Sequence, residues 1–228
     1  MLKPEGTAEY VKVTTEYADV RKRLVPLRLY ALSDTGGMLN RASHFYHYEG
    51  GLEERELLRA AQAQDEEWKS FLAKSRPHVA TQASSVWVEA PFVREAADMG
   101  MKHETLQGSS GSNSNNSNII YELRRYNLVL GYDTVPTFLS HYEKGLPSKL
   151  DAGAETGKSR FCSLMYSEVG TLNQMIEIWR HEGAAGMEET RVASRGKQAW
   201  RNAIGEIAKL GKEFTSTLVR PAALSNWK

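Results

Sequence analysis

Across residues 119–128 apolar and polar side chains alternate in a run rich in β-branched and aromatic residues, which predicts a strand. Val135, Phe138, Leu139, Tyr142 and Leu146 then recur at helical spacing, with Thr134 placed to cap and Pro136 tolerable in the first turn. Two further strands are predicted at residues 160–168 and 171–181, separated by Val169 and Gly170 at a tight hairpin turn. From about residue 184 to 210 the spacing is again helical, with Trp200, Ile204 and Ile207 on one face, and residues 213–220 close the series as a strand ended by Pro221. The order βαββαβ is that of a ferredoxin-like α+β module, in which both helices cover one face of an antiparallel sheet and the other face is free to pair.

The first part of the chain repeats this series from its helix onward. Tyr10, Val13, Tyr17, Val20 and Leu24 stand at helical spacing, strands are predicted at residues 26–33 and 38–49, a helix-rich stretch at 52–73 holds Trp68, and a strand at 82–90 ends the half. GMLNRASHFYHYEG (residues 37–50) aligns without a gap on GTLNQMIEIWRHEG (170–183), and after a slip of one residue Arg59 meets Arg191, Ala61 meets Ala193 and Trp68 meets Trp200. The chain is therefore an internal duplication, with a first module expected at residues 1–92, a linker at 93–118 and a complete second module at 119–228. Within the linker, the Ser/Asn/Gly tract after Leu106 has no apolar side chain to offset the entropy of ordering, and no strand and helix flank it as a phosphate-binding loop would require.

The first copy lacks its first strand. In the ferredoxin-like order that strand is central and hydrogen-bonded on both sides, so the sheet needs one. The expectation is that Met1-Leu2-Lys3-Pro4 is the tail of this strand, with the rest supplied from upstream or by a segment swapped in.

Composition changes this picture little. Twenty-nine Lys and Arg balance twenty-eight Asp and Glu, which argues against a nucleic-acid or anionic-membrane partner held by summed charge. A single cysteine, Cys162, and no apolar opening stretch predict a reducing compartment, and no run of the roughly 20 apolar residues needed for a membrane span occurs.

The YELRRYNL strand from Tyr121, the two G-x-L-N copies with their following aromatic strands, the helical Arg59 and Arg191, and the paired Trp68 and Trp200 together resemble the NIPSNAP family. That resemblance implies tandem modules of the dimeric α+β barrel type, a mitochondrial location (otherwise cytoplasmic), and no established catalysis. It also implies protein partners, with the roles in vesicle traffic and mitochondrial quality control attributed to animal members. The chain departs from the family pattern at Tyr46, where Trp is expected, at Glu177, where His is expected, and at His181, where Tyr is expected.

Alternate residues of a strand share a face, so Asn40, His44, Tyr46 and Tyr48 are expected to project together, as are Asn173, Glu177, Trp179 and His181. On the free face of the sheet these would line a pocket suited to a small planar molecule, which supports a second reading: a small-molecule enzyme or binder, monooxygenase-like by fold analogy. Glu122 and Arg124 on the YELR strand and the helical Arg59 and Arg191 form a second tier, read first as structural pairs. His44 and His47 face opposite ways and make no joint metal site, Cys162 has no base near it in sequence, and no cofactor or metal is expected. Two modules in one chain can pair internally as a pseudo-dimer or across chains as a homo-oligomer.

Overall fold

The computed structural model describes residues 1–106 and 118–227, in two compact units that exchange segments of the chain. The first unit holds residues 1–83, 102–106 and the C-terminal residues from Arg220 onward; the second holds Ser84–Met101 and the chain up to Val219. The tract expected to be a flexible linker lies, at residues 107–117, outside the described residues. Residues 93–106, also expected in the linker, instead carry buried Val93, which lies in the short helix α5 (Pro91–Glu95), and buried Met101 and Leu106.

In the second unit, β4 (Ile119–Leu128) pairs antiparallel with β6 (Gln174–Glu182) on one side and β7 (Gly211–Pro221) on the other, and β6 pairs in turn with β5 (Ser159–Val169). This is the ferredoxin-like order, extended by β3 (Val86–Glu89), a strand from the first half of the chain that pairs antiparallel with β5. The face bearing Tyr126, Leu128, Met175 and Trp179 packs against α6 (Thr134–Thr156) and α8 (Gln198–Leu210) through Phe138, Tyr142, Leu146, Trp200 and Ile207. The stripe on α6 follows the predicted spacing, but the helix runs ten residues past Leu146, because loss of one N–H at Pro147 is outweighed by the packing on either side. It stops at Gly157, whose φ of 64° places its N–H on the carbonyls of Gly153 and Ala154. The second helical region is broken by extended Lys197 into α7 (Gly183–Gly196) and α8.

Gly145 sits where α6 and α8 cross: a Cβ there would stand 2.4 Å from Ala203 Cβ and 3.1 Å from the Trp200 ring. Gly145→Ala is expected to lower stability by about 1–3 kcal/mol through overpacking, whereas Gly205→Ala, on α8 with nothing within 4 Å, should be neutral or slightly stabilising. Thermal unfolding of the two variants separates these outcomes; equal melting temperatures would refute the close crossing.

In the first unit, α1 (Thr7–Glu16) and α2 (Ala18–Leu24) meet at Tyr17, and α3 (Gly51–Gln64) and α4 (Glu66–Ser75) meet at Asp65, whose carboxylate caps α4 by accepting the Trp68 N–H at 2.8 Å. β1 (Leu27–Thr35) and β2 (Ala42–Tyr46) form an antiparallel hairpin over a core of Leu2, Tyr10, Val25, Leu27, Tyr30 and Leu224. Residues 222–227 return to this unit: the Ala222 and Trp227 N–H groups donate to Tyr30 and Arg28 carbonyls, and the Trp227 indole donates to the His103 carbonyl.

The duplication extends to fine geometry. Asn40 and Asn173 are the non-glycine residues with positive φ among the described residues, at 55° and 53°. Both hairpins carry a register shift at the same place, between Leu27 and Leu29 and between Phe161 and Ser163. Gly51 (φ 68°) matches Gly183 (φ 78°), so the one-residue slip falls just before Gly51. Leu2 stands as Leu128 does: each donates its N–H to an asparagine carbonyl, Asn40 at 2.7 Å and Asn173 at 2.9 Å, and Leu2 bridges Val79 as Leu128 pairs with Gly211. Among the described residues the first unit has no strand in the place that β4 takes in the second.

Candidate functional site

The polar cluster of the second unit lies on the helix-covered face of the sheet, contrary to the expectation of a free face. The β4–β6 register sets Arg124 opposite Glu177 and Glu122 opposite Trp179, and the strand pleat turns all of them toward α6 and α8. Glu177 is wholly buried. One of its carboxylate oxygens accepts from Lys149 Nζ and Trp179 Nε1, the other from the Tyr126 hydroxyl, with Arg124 Nε at 3.3 Å. Lys149 Nζ also lies 4.4 Å from the centroids of both the Trp179 and Trp200 rings.

Burial by itself would raise the Glu177 pKa, but Lys149, Arg124 and the donated hydrogen bonds more than offset it and hold the group at about 2. Burial lowers Lys149 to about 8 against the pull of Glu177. Both remain charged at neutral pH, as a buried ion pair flanked by indole rings.

A second carboxylate continues the network. Glu122, also buried, accepts from Arg191 Nη2 at 2.6 Å and the Ser216 hydroxyl at 2.7 Å, with Arg124 Nη1 at 3.5 Å. His181 Nε2 stands 3.4 Å from Glu122 Oε2, poorly aligned for a hydrogen bond, while its Nδ1 meets the Ser159 hydroxyl at 2.6 Å. Burial opposes ionisation of Glu122, yet His181, Arg124, Ser216 and Arg191 together keep it well below the usual carboxylate range. The recurrence of Arg59 and Arg191 thus has a structural meaning in the second copy: Arg191 holds the β4 carboxylate.

The first unit arranges its matching residues differently. The hairpin register sets Tyr30 opposite His44 as it sets Leu164 opposite Glu177, so His44 takes the Glu177 position and Tyr46 that of Trp179. His44 packs edge-on to Tyr30 with centroids 4.6 Å apart and meets the Tyr46 hydroxyl through Nδ1 at 3.2 Å. Burial, with help from the Arg21 charge, drops its pKa well below the usual imidazole value. Arg21 reaches the Tyr46 hydroxyl at 3.3 Å and covers the Tyr30 and Phe71 rings at 5.2 and 5.5 Å.

Asn40 and Asn173, expected at the head of the pocket faces, lie outside the strands. Asn173 Nδ2 donates to the carbonyls of Val129 at 2.8 Å and Gly131 at 3.2 Å, and Asn40 Oδ1 accepts from Thr7 at 3.2 Å. The turn before Asn173 takes residues 170–173, longer than the expected pair, because two left-handed positions, Gly170 and Asn173, are needed to close it. Tyr48 lies beyond the end of β2, near Arg55 and Arg59, and Arg59 is exposed. Sequence reasoning passed over Lys149, Tyr126 and Arg21. Lys149 was legible as a cation continuing the apolar stripe of Phe138, Tyr142 and Leu146, and Arg21 as one following Tyr10 and Tyr17.

Chemically, the second-unit cluster is closed. Every Glu177 acceptor is used by a side chain of the same unit, and burial pushes the Cys162 thiol up to about 12, far from a nucleophile at neutral pH. Among the described residues no group of three His, Cys, Asp or Glu side chains is placed to hold a metal ion.

A family model described as NIPSNAP matches residues 1–94 and 121–226. Among solved structures, a NIPSNAP family protein of unknown function from Agrobacterium tumefaciens is 22% identical, over 46% of this chain and 89% of its own, with a TM-score of 0.41. Provisionally named monooxygenases from Lactobacillus acidophilus and Fusobacterium nucleatum are 9% and 7% identical, each over 97% of this chain and 90% and 88% of their own, with TM-scores of 0.57 and 0.56. At that identity the likeness is one of fold, the dimeric α+β barrel type. No curated protein matches the chain.

Proposed function

Since the chain belongs to the NIPSNAP family, we propose that it is an interaction or scaffold protein that meets protein partners at mitochondria rather than an enzyme. The observation that carries this reading is an apolar tip on the second unit. Asn173 ties the 129–131 loop to the β5–β6 turn, which gathers Leu130, Tyr132, Val169 and Leu172 at one end of the sheet. They are 82%, 102%, 51% and 57% exposed. Large side chains held in the open by a fixed turn supply the apolar contact that a partner surface needs. The closed Glu177 cluster supports the same reading, because a carboxylate with every acceptor engaged has none to offer a substrate. Roles in vesicle traffic or mitochondrial quality control would follow from which partner occupies the tip.

The test compares the chain with a Leu130→Asp/Leu172→Asp variant in affinity capture from mitochondria, with tryptophan fluorescence as the check on folding. A defined set of proteins retained by the parent chain and reduced at least about ten-fold by the variant is expected. Identical capture by both, or a chromophore that copurifies with the parent chain, would overturn the proposal.

A further inference from the structure

We infer that the two G-x-L-N turns are matched docking points, and that Leu39 of the first unit seats in the same apolar socket of a polypeptide partner as Leu172 of the second. The duplication carries the argument, because two copies that have drifted apart show which positions are held. Between residues 37–50 and 170–183, five of fourteen positions are identical: the first and last glycines, a glutamate, Asn40 with Asn173, and Leu39 with Leu172. The fold accounts for the glycines and asparagines. Glycine stands at or next to a left-handed position in both copies, at Gly36 and Gly51 and at Gly170 and Gly183. The asparagines are left-handed themselves, with φ of 55° and 53°, and their side chains are engaged, Asn40 by Thr7 and Asn173 by the Val129 and Gly131 carbonyls.

The leucines have no such account. Leu39 is 61% and Leu172 57% exposed, and neither belongs to the buried core of its unit. A single exposed leucine is ordinary; the same one on the same turn of two diverged copies is not. Other exposed leucines of the first unit have no match: Leu52 aligns with Ala184 and Leu57 with Glu189. The exposure belongs to the turn itself, since Leu172 stands out even though β5 and β6 are flanked by β3 and β4. A side chain carried on a turn pinned in this way loses little freedom when it seats in a socket. The nature of the occupant follows from what both turns can accept. Beside the second turn, Asp133, Glu168 and Glu213 outnumber Lys212, so an anionic lipid surface is repelled there. A second copy of the chain would bring knob against knob, far short of the roughly 1,200 Å² that a stable dimer buries. A polypeptide with an apolar socket, rimmed by cations where it meets the second turn, fits both.

The inference rests on the interaction reading and extends it to a second point of contact on the same chain. Its test replaces Leu39, Leu172 or, as controls, Leu52 or Leu57 with photoreactive benzoylphenylalanine in the whole chain. All four are exposed, so the replacements leave the fold intact. After illumination in a mitochondrial extract, mass spectrometry of the joined peptides should find one and the same partner segment at positions 39 and 172. The yield at each should exceed that at positions 52 and 57 by at least about ten-fold. Different partner segments at the two turns, or equal yields at the control positions, would overturn the inference. So would binding of the parent chain to phosphatidylcholine/phosphatidylserine vesicles, or a dimer of the chain in light scattering, that Leu39→Asp/Leu172→Asp abolishes. Product at position 172 with none at 39 sinks this inference and leaves the interaction reading standing. Unchanged capture by Leu130→Asp/Leu172→Asp sinks that reading itself, so the two failures are distinguishable.

Discussion

Glu177→Leu is expected to destabilise the second unit by about 3–5 kcal/mol, the cost of breaking a buried ion pair from one side. The substitution removes the anion but leaves Lys149 buried with half-buried Arg124 close by, and it strips an acceptor from the Tyr126 hydroxyl and the Trp179 indole. Lys149 can shed its proton, which limits the loss, since burial has already brought its pKa down to about 8. The double variant Glu177→Leu/Lys149→Met removes both charges and should recover a large part of the stability, as apolar replacement of a whole buried pair does. Denaturant unfolding followed by tryptophan fluorescence is the direct measurement, with Trp179 and Trp200 as reporters inside the cluster. A Glu177→Leu variant within about 1 kcal/mol of the parent, or a double variant weaker than the sum of the singles, would show that the network contributes little.

The elements that the chain announces most clearly are those fixed by local patterning. The strand at Ile119–Leu128 is legible because it is rich in β-branched and aromatic residues and alternates over Tyr121-Glu122-Leu123-Arg124 and Tyr126-Asn127-Leu128. The duplication is legible for a similar reason: the paired glycines and asparagines mark turns whose backbone needs φ above zero. What local patterning does not carry is where a strand goes. Residues 86–89 were expected to complete the first module and instead extend the sheet of the second, while residues 222–227 return to the first unit. Both segments are short and edge-forming, and nothing in their side chains distinguishes one sheet edge from another.

The candidate site shows the same division. Strand periodicity correctly puts Glu177, Trp179 and His181 on one face, yet it cannot say whether helices cover that face, because amphipathic residues suit either side. The decisive clue sits on a different element: Lys149 falls on the buried stripe of α6, and a cation in an apolar stripe needs an anion across from it. Arg21 makes the same statement in the first unit, where no carboxylate answers it among the described residues. The two copies therefore share a scaffold and differ in charge at the matched centre, His44 against Glu177. A common reaction carried by both is hard to reconcile with that difference.

The buried carboxylates also set how the protein responds to acid. Glu177 is held at about 2, against an ordinary 4.5, so its ionised form stabilises the folded state at any pH above 4.5, and that contribution fades as the pH falls toward 2. A shift of this size corresponds to about 3 kcal/mol, and Glu122, also held below its ordinary pKa, acts in the same direction. Lys149 gives a slope of the same sign in a higher window: with its pKa lowered to about 8 from 10.5, the unfolded chain binds more protons between those values, and stability rises as the pH climbs through them. The stability curve should therefore fall steeply below pH 4.5, and it gains a second rise as Lys149 titrates from about pH 8, which buried Cys162 and Tyr126 oppose at higher pH because burial raises their pKa values. Denaturant midpoints for the second unit at pH 6, 4 and 3, with the same series for Glu177→Gln, measure the acid limb. Glu177→Gln starts lower but has one fewer buried carboxylate to protonate, so its stability should fall less between pH 6 and 3 than that of the parent chain. Parallel acid limbs for the two proteins would mean that Glu177 titrates alike in the folded and unfolded chains, and the ion pair at the centre of the second unit would then have no role in acid sensitivity.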